Sequence, residues 1–206
     1  MRLRHLLAAA AAAFLAVPAV PQTVAEGQDE ADYHAWLARD PAVRAQVIAF
    51  RTHLELQGVA DVVPTWQILR TASMWRECNG PRFEVAPFTE WAKITRTLRF
   101  VKAHVVPVIG DVRAMSGYRN EALNACAGGA KESAHRHFYA LDLVPERPLS
   151  RKDLVASLCR IHAWRGESYH TGLGFYQGLR FHVDSKGFRK WGPDGKGATS
   201  PCITEV

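Results

Sequence analysis

Hydrophobic and polar positions alternate in different ways along the chain. The first apolar run, "LLAAAAAAFLAV", has no polar interruption and follows a basic start, "MRLRH". It is shorter than the roughly 20 apolar residues a membrane span needs. With the small residues of "PAVPQTVA" behind it, it reads as a signal peptide over residues 1–25, cleaved after Ala19 or Ala25. The polar "EGQDEA" reads as a loose linker. From Asp32 to about Leu56 apolar residues recur three and four apart, at Val43, Val47, Phe50 and Leu54, which predicts helix. Asp40 before Pro41 suits a helix start, and Gly58 a stop. A second helix is expected from Pro64 to Arg76, with Trp66, Leu69 and Met74 inward. A third is expected from Thr89 to His104, ending before Pro107.

Beyond Pro107 short segments replace the long periodic ones. "VRAMSGYR" reads as a strand ending in a turn, "NEALNACAGG" as a short helix closed by glycines, and "YALDLV" as a buried strand. "SRKDLVASLCRIHAWRG" reads as a helix capped by Ser150, with Asp153 three residues on. "GLGFY" and "LRFHVD" form a predicted hairpin turning at Gln177-Gly178. Helices followed by mixed strands and helices predict an α+β fold: a helical extension over residues 26–86, then one domain over 87–206.

Composition adds three constraints. A hydrophobic fraction of 48% with 22% charged residues belongs to a folded domain. Signal removal takes Arg2 and Arg4 and no acid, lowering the formal charge from +6 to +4. That suits anionic envelope polymers. Lysines and arginines interleaved with aromatics are lacking, which argues against a nucleic-acid partner. Four cysteines in an exported chain predict two disulfides. Of the three pairings, Cys78–Cys126 with Cys159–Cys202 is the expectation, the second pinning the tail to the helix that carries Cys159.

The chemistry gathers in the second half. In a strand "LRFHVD", Phe181 and Val183 face one side, His182 and Asp184 the other. A histidine with a carboxylate on one strand face builds or orients a metal ligand. In "SAHRHFYALD", His135 precedes Asp142 by seven positions, and Asp142 sits in an apolar run. A buried carboxylate needs a cation. Two histidines and one carboxylate with a vacancy for solvent is a common catalytic zinc set. In "SGYRN", Arg119 follows a strand, where a guanidinium can hold a peptide carboxylate or a developing oxyanion.

Taken in order, "SGYRN", "SAHRHFYALD" and "GLGFYQGLRFHVDSKGFRKW" resemble the M15 zinc peptidases of peptidoglycan, the D-alanyl-D-alanine carboxypeptidase type, over residues 87–192. The resemblance implies a small central antiparallel sheet with flanking helices. It also implies zinc on His135, Asp142 and His182, Arg119 as the catalytic arginine, and Tyr118 and Ser133 lining the site. Asp184 would orient His182. Peptidoglycan stem or cross-bridge peptides would be the substrates, in the periplasm or outside the cell.

Two departures stand out. Phe138 occupies a position usually held by glycine. Leu179, Arg180 and Phe181 precede His182 where relatives carry an acid as general base, leaving Asp184, His170 or Glu167 for that role. The second departure favours an alternative, a peptidoglycan-binding protein that keeps the fold, with or without the zinc, and does not hydrolyse. His137 competes with His135 as ligand. His104 and Asp111 repeat the seven-residue spacing, but that set leaves His182 and Arg119 unused. A cysteine nucleophile at Cys126 is disfavoured by the expected disulfides. Trp191, just after the last motif, could close over the site.

Overall fold

In a computed structural model of the chain, residues 24–205 are described; the expected signal segment lies outside them up to residue 23. Helix α1 (Glu30–Arg39) starts in a reciprocal capping box between Asp29 and Asp32. Helix α2 (Pro41–Leu56) is capped by Asp40, whose side chain accepts from the amides of Ala42 and Val43. The one helix expected over this stretch is therefore two, since Asp40 is extended at φ −142°. The linker expected before α1 is not loose. Gln28 is fully buried and donates to the Arg82 carbonyl at 2.7 Å, and Arg70 Nε donates to the Gln28 carbonyl at 2.9 Å.

The second expected helix is only the single turn α3 (Thr65–Ile68). Arg70 leaves it to bridge Phe83, and Met74 is exposed. Tertiary contacts override propensity here: the buried Arg70 guanidinium stacks on Trp66 and donates to the Ala114 carbonyl at 2.6 Å. A 3₁₀ turn (Phe88–Glu90) leads into α4 (Trp91–Phe100), a π turn (Val101–Val105) and α5 (Val106–Ile109). Pro107 does not end the helix. Its ring crowds the carbonyl one turn back, and the π turn directly before it widens the coil there.

One sheet carries the rest. Its strands are β1 (Val112–Ser116), β2 (Ala140–Pro145), β3 (Gly172–Phe175), β4 (Phe181–Asp184) and β5 (Arg189–Trp191), in the order β1-β2-β4-β3-β5. Four strands are antiparallel as expected. The unexpected β5 adds to β3 in parallel, so the sheet is mixed. Between strands lie α6 (Glu121–Cys126), capped by Asn120, and α7 (Arg151–Ile161), capped by Ser150; α8 (Pro201–Thr204) ends the fold. The disulfides are Cys78–Cys126 and Cys159–Cys202, as expected. One apolar core joins Phe50 and Leu54 of α2, Ile94 and Leu98 of α4, and Leu141, Phe181 and Val183 of the sheet. Residues on both sides of position 86 thus pack together. No described helix is long and apolar enough to cross a membrane.

Phe138 explains one departure. Its backbone is left-handed, at φ 52° and ψ 32°, the region glycine enters without cost. Its ring is fully buried against Phe50 and Tyr118. Losing a buried Phe ring costs about 3–5 kcal/mol, while relieving left-handed strain returns about 1–2 kcal/mol. Phe138→Gly is therefore expected to destabilise by about 2 kcal/mol net, read as a lower thermal midpoint.

Candidate metal centre

Strand register assembles the centre. Asp142 of β2 lies directly opposite His182 of β4, and an irregularity in β1 after Ala114 sets Ser116 opposite Asp142. Directly paired residues point to one face, so Asp142 and His182 project together. Across the hairpin Gly174 pairs with His182 and Gly172 with Asp184. Both glycines are required. A Cβ on Gly174 would enter the Trp191 ring, and one on Gly172 would strike the Asp184 carboxylate.

His135 arrives from a 3₁₀ turn (Ala134–His137), whose entry Ser133 caps by accepting from the His135 amide at 3.3 Å. Its Nδ1 donates to the Gly117 carbonyl at 2.7 Å, which leaves the Nε2 lone pair facing inward. His182 Nε2 donates to Asp184 Oδ2 at 2.8 Å, which turns Nδ1 inward. His135 Nε2 lies 3.2 Å from His182 Nδ1 and 3.3 Å from Asp142 Oδ1; the remaining separation is 3.1 Å. Three acceptors that are all buried converge on one point.

This set fits zinc. A tetrahedral ion with bonds near 2.0–2.1 Å spaces its ligand atoms about 3.3 Å apart. Burial, then Arg119, pushes the His135 pKa down to about 4, so its imidazole is neutral and ready to ligate. Burial pulls His182 down too, but the hydrogen bonds and charges of Asp142 and Asp184 outweigh it, and the net direction is up. The field that favours a proton on His182 equally favours a divalent cation between the three atoms. Burial raises the Asp142 pKa, yet His135 and Arg180 overcome it and hold the carboxyl well below its ordinary range.

The surroundings divide the labour on Asp142. Oδ2 accepts from Arg119 Nη2 at 2.8 Å and Arg180 Nη2 at 2.7 Å; Oδ1 accepts from Tyr176 Oη at 2.9 Å. Arg180 also reaches the Ser73 hydroxyl at 3.3 Å, and Arg119 Nε the Ser116 hydroxyl at 3.1 Å. Asp184 is held by the Arg189 guanidinium at 3.0 and 2.7 Å and by the Lys186 amide at 2.8 Å. With His182 on it as well, that carboxylate orients an imidazole and has no room to act as a base.

A cleft of about 700 Å³ opens over the cluster, lined by Arg119, Glu132, Ser133, His135, Tyr176, His182, Trp191 and Asp194 among others. The structure brings together His135, Asp142, His182, Arg119, Ser133 and Asp184. It places Tyr118 elsewhere, on Phe138 and in a separate cavity. His137 stays out of the cluster, and His104 packs on Phe100 and Tyr169. Glu167 lines a different cavity, and neither it nor His170 lines this cleft. Trp191 packs on His182 and Tyr176, with ring centroids 5.2 and 5.3 Å away. The roles of Arg180 and Tyr176 on Asp142 escaped the sequence reading, although strand alternation puts Arg180, His182 and Asp184 on one face.

Gly117 transmits support to His135. Its amide donates to the Arg70 carbonyl at 2.7 Å while its carbonyl takes the His135 proton. A Cβ there would collide with the Ile68 carbonyl. Gly117→Ala is expected to weaken zinc binding about 10–100-fold, the usual effect of losing a ligand's outer partner; competition with a chromophoric chelator measures it.

The fold is a mixed-sheet α+β domain with a buried His-Asp-His cluster, able to hold a metal ion, beneath an open cleft. The family model for Peptidase M15 matches residues 71–184, more than half of the chain, and the protein belongs to that peptidase family. No curated protein and no solved structure matches it.

Proposed function

We propose that the chain is an exported zinc peptidase that hydrolyses stem or cross-bridge peptides of peptidoglycan. The observation that carries this reading is the convergence of His135 Nε2, Asp142 Oδ1 and His182 Nδ1 within 3.1–3.3 Å. Zinc held there supplies Lewis acidity, polarising a carbonyl and acidifying water. Ser133 and Trp191 border the peptide's path. Arg119, anchored through Nη2 and Nε, lines the cleft, where a guanidinium stabilises an oxyanion or grips a carboxylate. Tyr176 keeps its phenol proton, since burial and then Asp142 raise its pKa. Of the carboxylates in the cleft, Asp194 is engaged by the Thr199 hydroxyl and the Lys196 amide. Glu132 is exposed, with, among the described residues, only the Lys186 ammonium 3.8 Å from its carboxylate, and is our candidate for the proton acceptor. Export is supported by the two disulfides and by the signal-like residues 1–25.

A second reading, a wall-binding protein without hydrolysis, is favoured by the lack of an acid among Leu179, Arg180 and Phe181, just before His182. Digestion of purified sacculi separates the two. New amine termini that vanish with chelator and return with zinc support the peptidase; sedimentation with sacculi and no release supports the binder.

A further inference from the structure

The turn that presents Arg119 to the metal cluster also builds a second cavity. Tyr118, one residue earlier, lines a cavity of about 340 Å³ with Gln46, Glu84, Phe88 and Trp91. Asn120, one residue later, donates through Nδ2 to Glu84 Oε2 at 2.9 Å. Glu84 is half-buried and fixed from behind by its amide on the Leu69 carbonyl at 3.0 Å. Among the described residues no lysine, arginine or histidine pairs with it, although the chain carries many ion pairs elsewhere. Burial outweighs the Asn120 hydrogen bond and pushes its pKa up, the mark of a carboxylate lacking a counter-charge. Three aromatic residues share the lining with it: Tyr118, Trp91 and the largely exposed Phe88, whose ring meets that of Trp91 edge to face at 5.0 Å.

A lone carboxylate among aromatic faces is the chemistry that recognises an organic cation. The carboxylate supplies charge, and the ring faces attract the ammonium and its attached methylenes. A hard metal ion is usually held by more than one carboxylate, and Glu84 is the single carboxylate among the described residues that line the cavity, while the cavity's volume suits a group of several carbons. We propose that this cavity is a binding site for a primary ammonium group of a peptide, with Glu84 as its counter-ion. The site stands apart from the metal centre, since none of His135, Asp142 and His182 lines it.

Such an ammonium belongs either to a basic side chain or to a free α-amine, and calorimetric titration of the purified protein distinguishes them. The probes are Nα-acetyl-lysine amide (side-chain charge only), alanyl-alanine amide (α-amine only) and Nα,Nε-diacetyl-lysine amide (uncharged). At least one charged probe is expected to bind about ten-fold or more tightly than the uncharged one, more weakly at high salt, and the tighter one names the source. Glu84→Gln, which keeps the shape and an acceptor for Asn120, is expected to erase that preference. A thermal midpoint matching the parent's verifies its fold, and Phe88→Ala, changed at an exposed position, is expected to weaken the same probe without unfolding the protein. Equal behaviour of all three probes, or an unchanged preference in folded Glu84→Gln, would overturn the proposal. Neither result depends on hydrolysis.

Discussion

Replacing His182 by alanine is expected to strip the purified protein of zinc. The variant loses one of three ligand atoms, and its loss exceeds the roughly 10–100-fold drop that follows from removing an outer partner. Elemental analysis after gel filtration should find about one zinc per chain in the parent and well under a tenth of that in the variant. Peptide hydrolysis should fall with the metal. The hole itself is tolerable for the fold, because the change removes an imidazole and leaves Phe181 and Val183 in the core. Circular dichroism should therefore report a folded sheet. A variant that keeps its zinc would mean that the ligand set is misassigned.

Asp142→Ala is expected to have the largest effect on stability. The carboxylate is fully buried and answers two guanidiniums, Arg119 at 2.8 Å and Arg180 at 2.7 Å. Removing one partner from a buried ion pair costs about 3–5 kcal/mol, because the charges left behind lose their counter-ion while still largely out of water. For a chain of this length each kcal/mol moves the midpoint by about 2–4 °C, so a drop of about 6–20 °C is expected in a thermal melt of metal-free protein. The metal-free comparison matters, since it separates the ion-pair effect from lost zinc stabilisation. Asp142→Ala combined with Arg180→Leu should recover part of the loss, as removing both charges of a buried pair costs far less than removing one. A midpoint within a degree or two of the parent would show that the arginines have other counter-charges.

The sequence discloses whatever is set by local rules. Asp40 and Ser150 announce their helices because a cap is one side chain meeting its own backbone. Strand alternation makes the pairing of His182 with Asp184 legible, and the order of the three motifs, which resembles the M15 peptidases, points to His135, Asp142 and His182 as one cluster. The failures lie where distant contacts decide. Met74 and Arg70 sit in a helical-looking segment, but the Arg70 guanidinium is drawn to Gln28 and Ala114, 42 and 44 positions away. Strand β5 is three residues long with an exposed, charged start, and its parallel pairing to β3 leaves no periodic trace. Tyr118 reads as a cleft residue beside Arg119, yet consecutive residues at a turn need not face the same way, and it lines the neighbouring cavity. The sequence shows no acid among Leu179, Arg180 and Phe181, but that Arg180 grips Asp142 follows only from the register of β2 against β4.

X-ray absorption at the zinc edge of the protein as purified tests the central claim most directly. The account predicts two imidazole nitrogens and one carboxylate oxygen near about 2.0–2.1 Å, with a further light-atom position that exchanges with added inhibitor. A spectrum with no imidazole scattering, or a protein that takes up no stoichiometric metal, would contradict it.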